Sequence, residues 1–298
     1  MSVYQIHGLK EKLKLGRFVT TVELEPPKGA DPMPVMETAA FLRGHVDAVN
    51  IADSPMATMR MSPIALAHII QQDLGIEAIF HLTCRDRNTI GLQSELLGAS
   101  ALGVKNILTL TGDPATRGDH PTANSIFEVD AVGLAKLASH LNNGMDLSNK
   151  PLNAKTNFFI GGAANPGFED LNKEIERLKE KIDAGIQFVQ TQPVFDIETA
   201  ERFLEKTAHL PLHVIFGLLP LKSYKTALFL NDKVPGIHIS PVVMERVERG
   251  GREAGIEIAQ ELLEQLKDKV QGVHLFPMSD LNIIKELLQI EDQRKNVI

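Results

Sequence analysis

The sequence holds one cysteine, Cys84, which excludes an intrachain disulfide and any metal or iron–sulfur site built from several cysteines. It also lacks a basic surplus, with 31 Lys and Arg against 38 Asp and Glu and a formal charge of −7. No run of Lys and Arg occurs and no aromatics interleave with them, so nucleic acid is not an expected partner. No apolar run approaches the roughly 18 residues of a membrane span, and no charged-then-apolar leader opens the chain. The expectation is a soluble, cytoplasmic protein. HExxH, paired-histidine and CxxC spacings are missing, so no metal is expected. GxSxG and the P-loop are missing as well. No linker rich in Pro, Gly or Ser divides the 298 residues, and one domain over 1–298 is expected.

What is present is a hydrophobic fraction of 43% with 23% charged residues, enough for a full core. Short β-rich apolar runs at 19–25, 47–53, 77–83, 106–113, 156–164, 188–195, 212–220 and 272–278 alternate with helical stretches. In LNKEIERLKEKIDAG, Ile175, Leu178 and Ile182 fall at helical spacing, and Gly185 supplies a stop. Eight strands, each followed by a helix, predict a parallel sheet closed as an α/β (β/α)8 TIM barrel. An open doubly wound sheet is disfavoured because no GxGxxG follows the first strand. The stretch 231–270 exceeds one loop and predicts extra helices before the last strand.

Active sites of such barrels lie at the C-terminal strand ends. Those ends carry Glu23, Glu25, Asn50, Asp53, His81, Asp113, Asn165 and Gln192, whereas the strand beginnings are bland. In VELEPPKG, Glu23 shares a face with Thr21 and Glu25, and Pro26-Pro27 stops the strand. A glutamate facing a partly dry cavity is expected to have a raised pKa and to serve as a general acid. Each residue also has a plain structural reading. A glutamate can be solvated at the rim, His81 can be a hydrogen-bonded core histidine, and Cys84 a small buried hydrophobe. Composition leaves proton transfer, lyase or aldolase chemistry and an organic cofactor all open.

VELEPPKG, HLTCRDRN, LTGDP and KIDAGIQFVQTQPVFD, in that order, resemble the methylenetetrahydrofolate reductase family, in its shorter bacterial branch. The likeness runs from about residue 17 to about residue 290. It implies a flavin-bearing barrel that reduces 5,10-methylenetetrahydrofolate to 5-methyltetrahydrofolate, with NADH or NADPH reducing the flavin. Glu23 matches the family's catalytic acid in E-x-x-P-P, and Glu25 takes a place usually apolar. Contacts to FAD are implied for Asn50, Ile51, Asp53, His81, Thr111, Gly112, Asp113, Asn165, Arg177 and Lys181. Asp113, Gln192 and Thr226 are implied to contact substrate.

The chain departs from the family pattern in four further places. Thr111 stands where an arginine often precedes Gly-Asp, and Gly161 where a tyrosine often covers the flavin. Asn165 replaces a histidine, and Asp280 lies near where a substrate-binding arginine is expected. These departures leave FMN open beside FAD. Two other readings stand beside the reductase: a flavin-free barrel binding a methylated pterin or folate for methyl transfer, and a non-catalytic subunit docked on a redox partner. A homo-oligomer stays open too.

Overall fold

Strands form where β-branched and aromatic residues cluster, and they stop where the chain turns polar or meets proline. The protein is described here by a computed structural model covering residues 8–278 and 280–290. Of the domain expected over 1–298, residues 1–7, 279 and 291–298 lie outside the described residues. The strands are β1 (Val19–Leu24), β2 (Ala48–Ile51), β3 (Glu77–Thr83), β4 (Asn106–Leu110), β5 (Phe159–Ala164), β6 (Phe188–Pro193), β7 (His213–Leu218) and β8 (Gly272–Leu275). They pair in sequence order, all parallel, and β8 closes on β1 with Thr21 opposite His274. The expected (β/α)8 TIM barrel is therefore the architecture. Most strands end earlier than the apolar runs suggested. Asp53 and Asp113, for example, leave the ladder and belong to loops.

The helices are α1 (Leu9–Lys14), α2 (Met33–Leu42), α3 (Pro63–Leu74), α4 (Thr89–Ala101), α5 (Ala131–Asn142), α6 (Leu171–Asp183), α7 (Ile197–Thr207), α8 (Tyr224–Lys233), α9 (Pro241–Lys267) and α10 (Leu281–Leu287). Ser62, Asn88, Asp130, Asp170, Asp196, Ser223 and Ser240 each accept a backbone N–H in the first turn of the helix they precede. Such caps satisfy donors that a helix start leaves unpaired. In α6, Ile175 and Leu178 are buried and Ile182 half-buried, and Gly185 at φ 105° follows the helix end. Both α8 and α9 lie between β7 and β8, so the extra helix falls where the long stretch 231–270 predicted it. Gly251, at φ 56° and ψ −132°, breaks α9 internally.

Two apolar shells hold the barrel, and a third cluster holds α8 and the first part of α9. The outer one lies between the strands and the helices. The inner one fills the barrel with Val19, Ala48, Ile79, Leu108, Phe159, Phe188 and Ile215, joined by Leu9 and Leu13 of α1. Phe159 and Phe188 stack with centroids 4.6 Å apart. Further along the same strands the buried interior positions become polar, at Thr21, Asn50, His81, Gln190 and His274. That change of character, from packed floor to polar mouth, positions the site.

Candidate active site

A cavity of about 280 Å³ opens at the C-terminal end of the barrel. Glu23, Asp53, His81, Gly112, Asp113 and Gln192 line it, so the barrel gathers six of the residues singled out from the sequence. Asn50 is fully buried and reaches the cavity through its contacts with His81 and Gln190.

Glu23, next to last in β1 at the end toward the mouth, keeps 32% of its side chain exposed, and its Oε2 lies 3.9 Å from His274 Nε2. Burial acts to raise its pKa, but the nearby imidazoles, His274 first and His81 after it, outweigh that effect. The carboxyl is therefore held below its ordinary value, contrary to the raised pKa expected from a dry cavity alone. Two imidazoles facing the carboxylate reverse the direction. His81 is pushed down to about 4, mainly by burial. It is neutral near pH 7.

Asp53 ties the ends of two strands together. Its carboxylate accepts from the Thr83 N–H and hydroxyl, each at 2.9 Å, and from Arg87 Nη1 at 2.8 Å. Gly112 adopts φ 90°, and a Cβ there would lie 2.9 Å from Thr83 Cβ, so backbone strain and space both call for glycine. Asp113 is half-exposed and pairs with Arg117 at 3.0 Å. Arg85, almost fully buried, also lines the cavity; it bonds Asp86 and the Ser54 carbonyl.

Other expected positions lie away from the cavity lining. Ile51 faces the outer shell. The Thr111 hydroxyl accepts from Ala131 N–H and holds the start of α5. Asn165 bonds the Pro235 carbonyl and the Gly167 N–H, joining two loops. Arg177 lies 5.3 Å over the Phe168 ring. Thr226 sits in the first turn of α8 and pairs with its cap, Ser223. Asp280 caps α10 and faces Arg252 at 3.6 Å. Glu25 leaves the strand and pairs with Arg60 at 2.9 Å, so it does not crowd Glu23. Lys181 reaches the rim differently: its ammonium donates to the carbonyl of Ala163, a lining residue. Burial lowers its pKa. Cys84 is buried, and desolvation pushes its thiol up to about 12. Among the described residues, no group of three or more His, Cys, Asp or Glu converges as a metal site. No helix among them is long and apolar enough to cross a membrane.

Sequence reasoning missed two interior residues, Gln190 and His274. Both follow from alternation. Gln190 shares a strand face with Gln192, and His274 pairs in register with Thr21, two residues from Glu23. Their signal was present, but it lay one step below the strand ends that drew attention.

Fold and site define a (β/α)8 barrel with a carboxylate–imidazole site at the mouth where this architecture carries chemistry. The family model described as methylenetetrahydrofolate reductase matches residues 8–292, and the chain belongs to that family. The chain is 25% identical over 285 residues to the 5,10-methylenetetrahydrofolate reductase of Pectobacterium carotovorum, covering 89% of this chain and 87% of that protein. It is 25% identical over 236 residues to methylenetetrahydrofolate reductase 1 of Schizosaccharomyces pombe, covering 75% of this chain and 37% of that protein. The chain thus spans well under half of that longer yeast relative. A solved structure of an uncharacterized Clostridium thermocellum protein that binds two copies of 5-methyl-5,6,7,8-tetrahydrofolic acid superposes with a TM-score of 0.66. That likeness, at 17% identity and covering 94% of this chain and 96% of that one, is one of fold.

Proposed function

We propose that this chain reduces the methylene group of 5,10-methylenetetrahydrofolate to a methyl, giving 5-methyltetrahydrofolate, with NADH or NADPH as electron donor. The observation that carries this reading is the Glu23 carboxyl on an interior strand end beside His274, in a chain of this family. Glu23, a carboxylate in the free protein, first takes up a proton beside His274; it then gives that proton to a ring nitrogen of the folate and so opens the five-membered ring to an iminium, which accepts hydride more readily. Asp113 and Gln192, both in the cavity lining, orient the pterin, and Thr226 acts only if a longer ligand reaches α8.

The residues present fit a flavin, FAD in the first instance. The lining mixes the apolar faces of Leu108, Leu110 and Phe276 with polar groups of His81, Thr83 and Gln192, as a flat ring with a hydrogen-bonding edge requires. Lys181, half-buried at the rim, makes a single hydrogen bond among the described residues, to Ala163 O. An ammonium can donate three, so two are left for a phosphate. Gly112, Asp113 and Lys181 would hold the group, with Arg177 and Asn165 as further candidates. When bound, it supplies a hydride carrier between nicotinamide and folate. The expected location is the cytoplasm, and the described residues work as one domain.

The reductase reading is tested by Glu23→Gln. Reduction of the bound flavin by NADH, seen as bleaching of its absorbance, stays near the wild-type rate. Folate reduction falls by about 10²–10⁴-fold, the usual contribution of a general acid. Parallel loss of both half-reactions refutes the assigned role. One observation favours the flavin-free reading: a side chain at Gly161 is precluded by the Phe188 ring, which lies 2.2 Å from the Cβ position, so β5 offers no cover for a cofactor. A colourless protein that binds 5-methyltetrahydrofolate decides for that reading.

A further inference from the structure

The polar layer under the cavity is one continuous series of hydrogen bonds. Asn50 and Gln190 form an amide pair, Asn50 Nδ2 donating to Gln190 Oε1 at 2.5 Å and Gln190 Nε2 donating to Asn50 Oδ1 at 3.0 Å. At one end the Asn50 amide lies 2.9 Å from His81 Nε2. At the other, the Gln190 amide meets Thr21 Oγ1 at 3.0 Å, and Thr21 Oγ1 meets His274 Nδ1 at 2.9 Å. His274 Nε2 then faces Glu23 Oε2. Thr21, Asn50, His81, Gln190 and His274 are all buried, and the links of the series pair donor with acceptor, the Thr21 hydroxyl having one further, longer contact of 3.5 Å to the Val273 carbonyl.

Donor and acceptor counting allows two directions along this series. In the first, the amide nitrogens face His81 and Thr21. His81 Nε2 accepts, the Thr21 hydroxyl donates to His274 Nδ1, and a neutral His274 carries its proton on Nε2, facing a Glu23 carboxylate. In the second, both amides are turned over. His81 Nε2–H donates to Asn50, the Thr21 hydroxyl donates to Gln190, and His274 Nδ1–H donates to Thr21. His274 Nε2 and Glu23 then hold one further proton between them. Turning over one amide alone sets donor against donor and acceptor against acceptor inside the pair, which a dry interior disfavours. The first direction goes with a spent acid, the second with a loaded one.

We propose that the Asn50–Gln190 amide pair is a positioning device that ties the tautomer of His81 to the proton held by Glu23 and His274. His81 lines the cavity, and among the described residues its Nδ1 has no protein partner, so Nδ1 is the nitrogen offered to a ligand. It bears a proton when Glu23 is spent and a lone pair when Glu23 is loaded. The bound ligand's hydrogen-bonding edge therefore meets a donor or an acceptor according to the state of the acid across the barrel. The charged groups facing the series are Glu23 from β1, Asp53 from the loop after β2, His81 from β3 and His274 from β8, with Arg85 and Asp113 on the same cavity. His81 stays neutral across most of the accessible range, so its response is a tautomer change and not a charge change. The catalytic meaning rests on the acid role proposed for Glu23; the coupling itself does not.

The test is ¹⁵N NMR of histidine-labelled protein, titrated over roughly pH 5 to 9. The sequence has 10 histidines, and His81→Asn and His274→Asn variants assign the two signals. In the wild type, His81 Nε2 passes from protonated to unprotonated together with the exchange of the protonated nitrogen on the His274 ring. In Gln190→Met, the His274 signals still change while His81 keeps one tautomer throughout. A single His81 tautomer across the wild-type titration, or a switch that survives Gln190→Met, overturns the proposal. If circular dichroism shows Gln190→Met unfolded, Thr21→Val cuts the series at the next link and is read the same way. The readout needs no substrate. A coupled titration without folate reduction sinks the functional reading alone, and folate reduction with an uncoupled His81 sinks the coupling alone.

Discussion

Replacing Asp53 by alanine removes the clamp between the ends of β2 and β3. The carboxylate is 3% exposed and its partner Arg87 is 18% exposed, so solvent screens the pair little. Burial opposes the Arg87 charge, and Asp53 more than restores it, leaving the guanidinium pKa raised. Asp53→Ala leaves that guanidinium only its longer contact to Glu95, at 3.9 Å, and strands the Thr83 hydroxyl and N–H. Breaking a buried pair in this way costs about 3–5 kcal/mol. Unfolding entropy of about 2.1 cal/mol/K per residue gives about 0.6 kcal/mol/K for a chain of 298 residues. The melting temperature then falls by about 5–8 °C, read by calorimetry. Arg87→Met leaves the carboxylate its two Thr83 donors and costs less. The double variant shows a coupling of about 1–3 kcal/mol. A fall below about 2 °C for Asp53→Ala, or strict additivity, refutes the clamp and returns Asp53 to a purely ligand-binding role.

Three further outcomes follow from the same interior. The His81 pKa is held at about 4, below the 6.5 of a free histidine. Its neutral form is therefore favoured by folding: the stability is complete above pH 6.5 and is lost as pH falls toward 4. That loss is about 3 kcal/mol at 1.36 kcal/mol per pH unit, and urea titrations of His81→Asn should lack it; an unchanged pH slope contradicts the burial argument. Gly161→Ala places a Cβ 2.2 Å from Phe188 Cζ and should destabilise by about 1–3 kcal/mol through overpacking. A neutral effect would show that Phe188 can move. Cys84, with its thiol near 12, should stay inert to thiol reagents at pH 8 in the native protein and react only on unfolding.

Much of the barrel was legible because each strand is a short run of β-branched and aromatic residues and each helix has its own cap and period. Strand ends were read too long for a physical reason: Asp53 and Asp113 continue the hydrophobic runs in sequence but are drawn out of the ladder, Asp53 by Thr83 and Arg87 and Asp113 by Arg117. Glu23, His81, Asp113 and Gln192 were legible because they interrupt apolar runs at the ends where a barrel exposes its mouth. Thr111, Thr226 and Asn165 carry similar signals but serve a helix start, a cap and a loop junction.

The sequence by itself determined the period of the elements, their order and the placing of polar residues at one end of each strand, because these depend on neighbours along the chain. Closure of the barrel decided the rest. It brought β8 beside β1, so that His274 meets Glu23 and turns an expected weak acid into a stabilised carboxylate. It also set Asn50 against Gln190, 140 positions apart. Partners that distant have no shared local pattern; only the three-dimensional register says which of them touch.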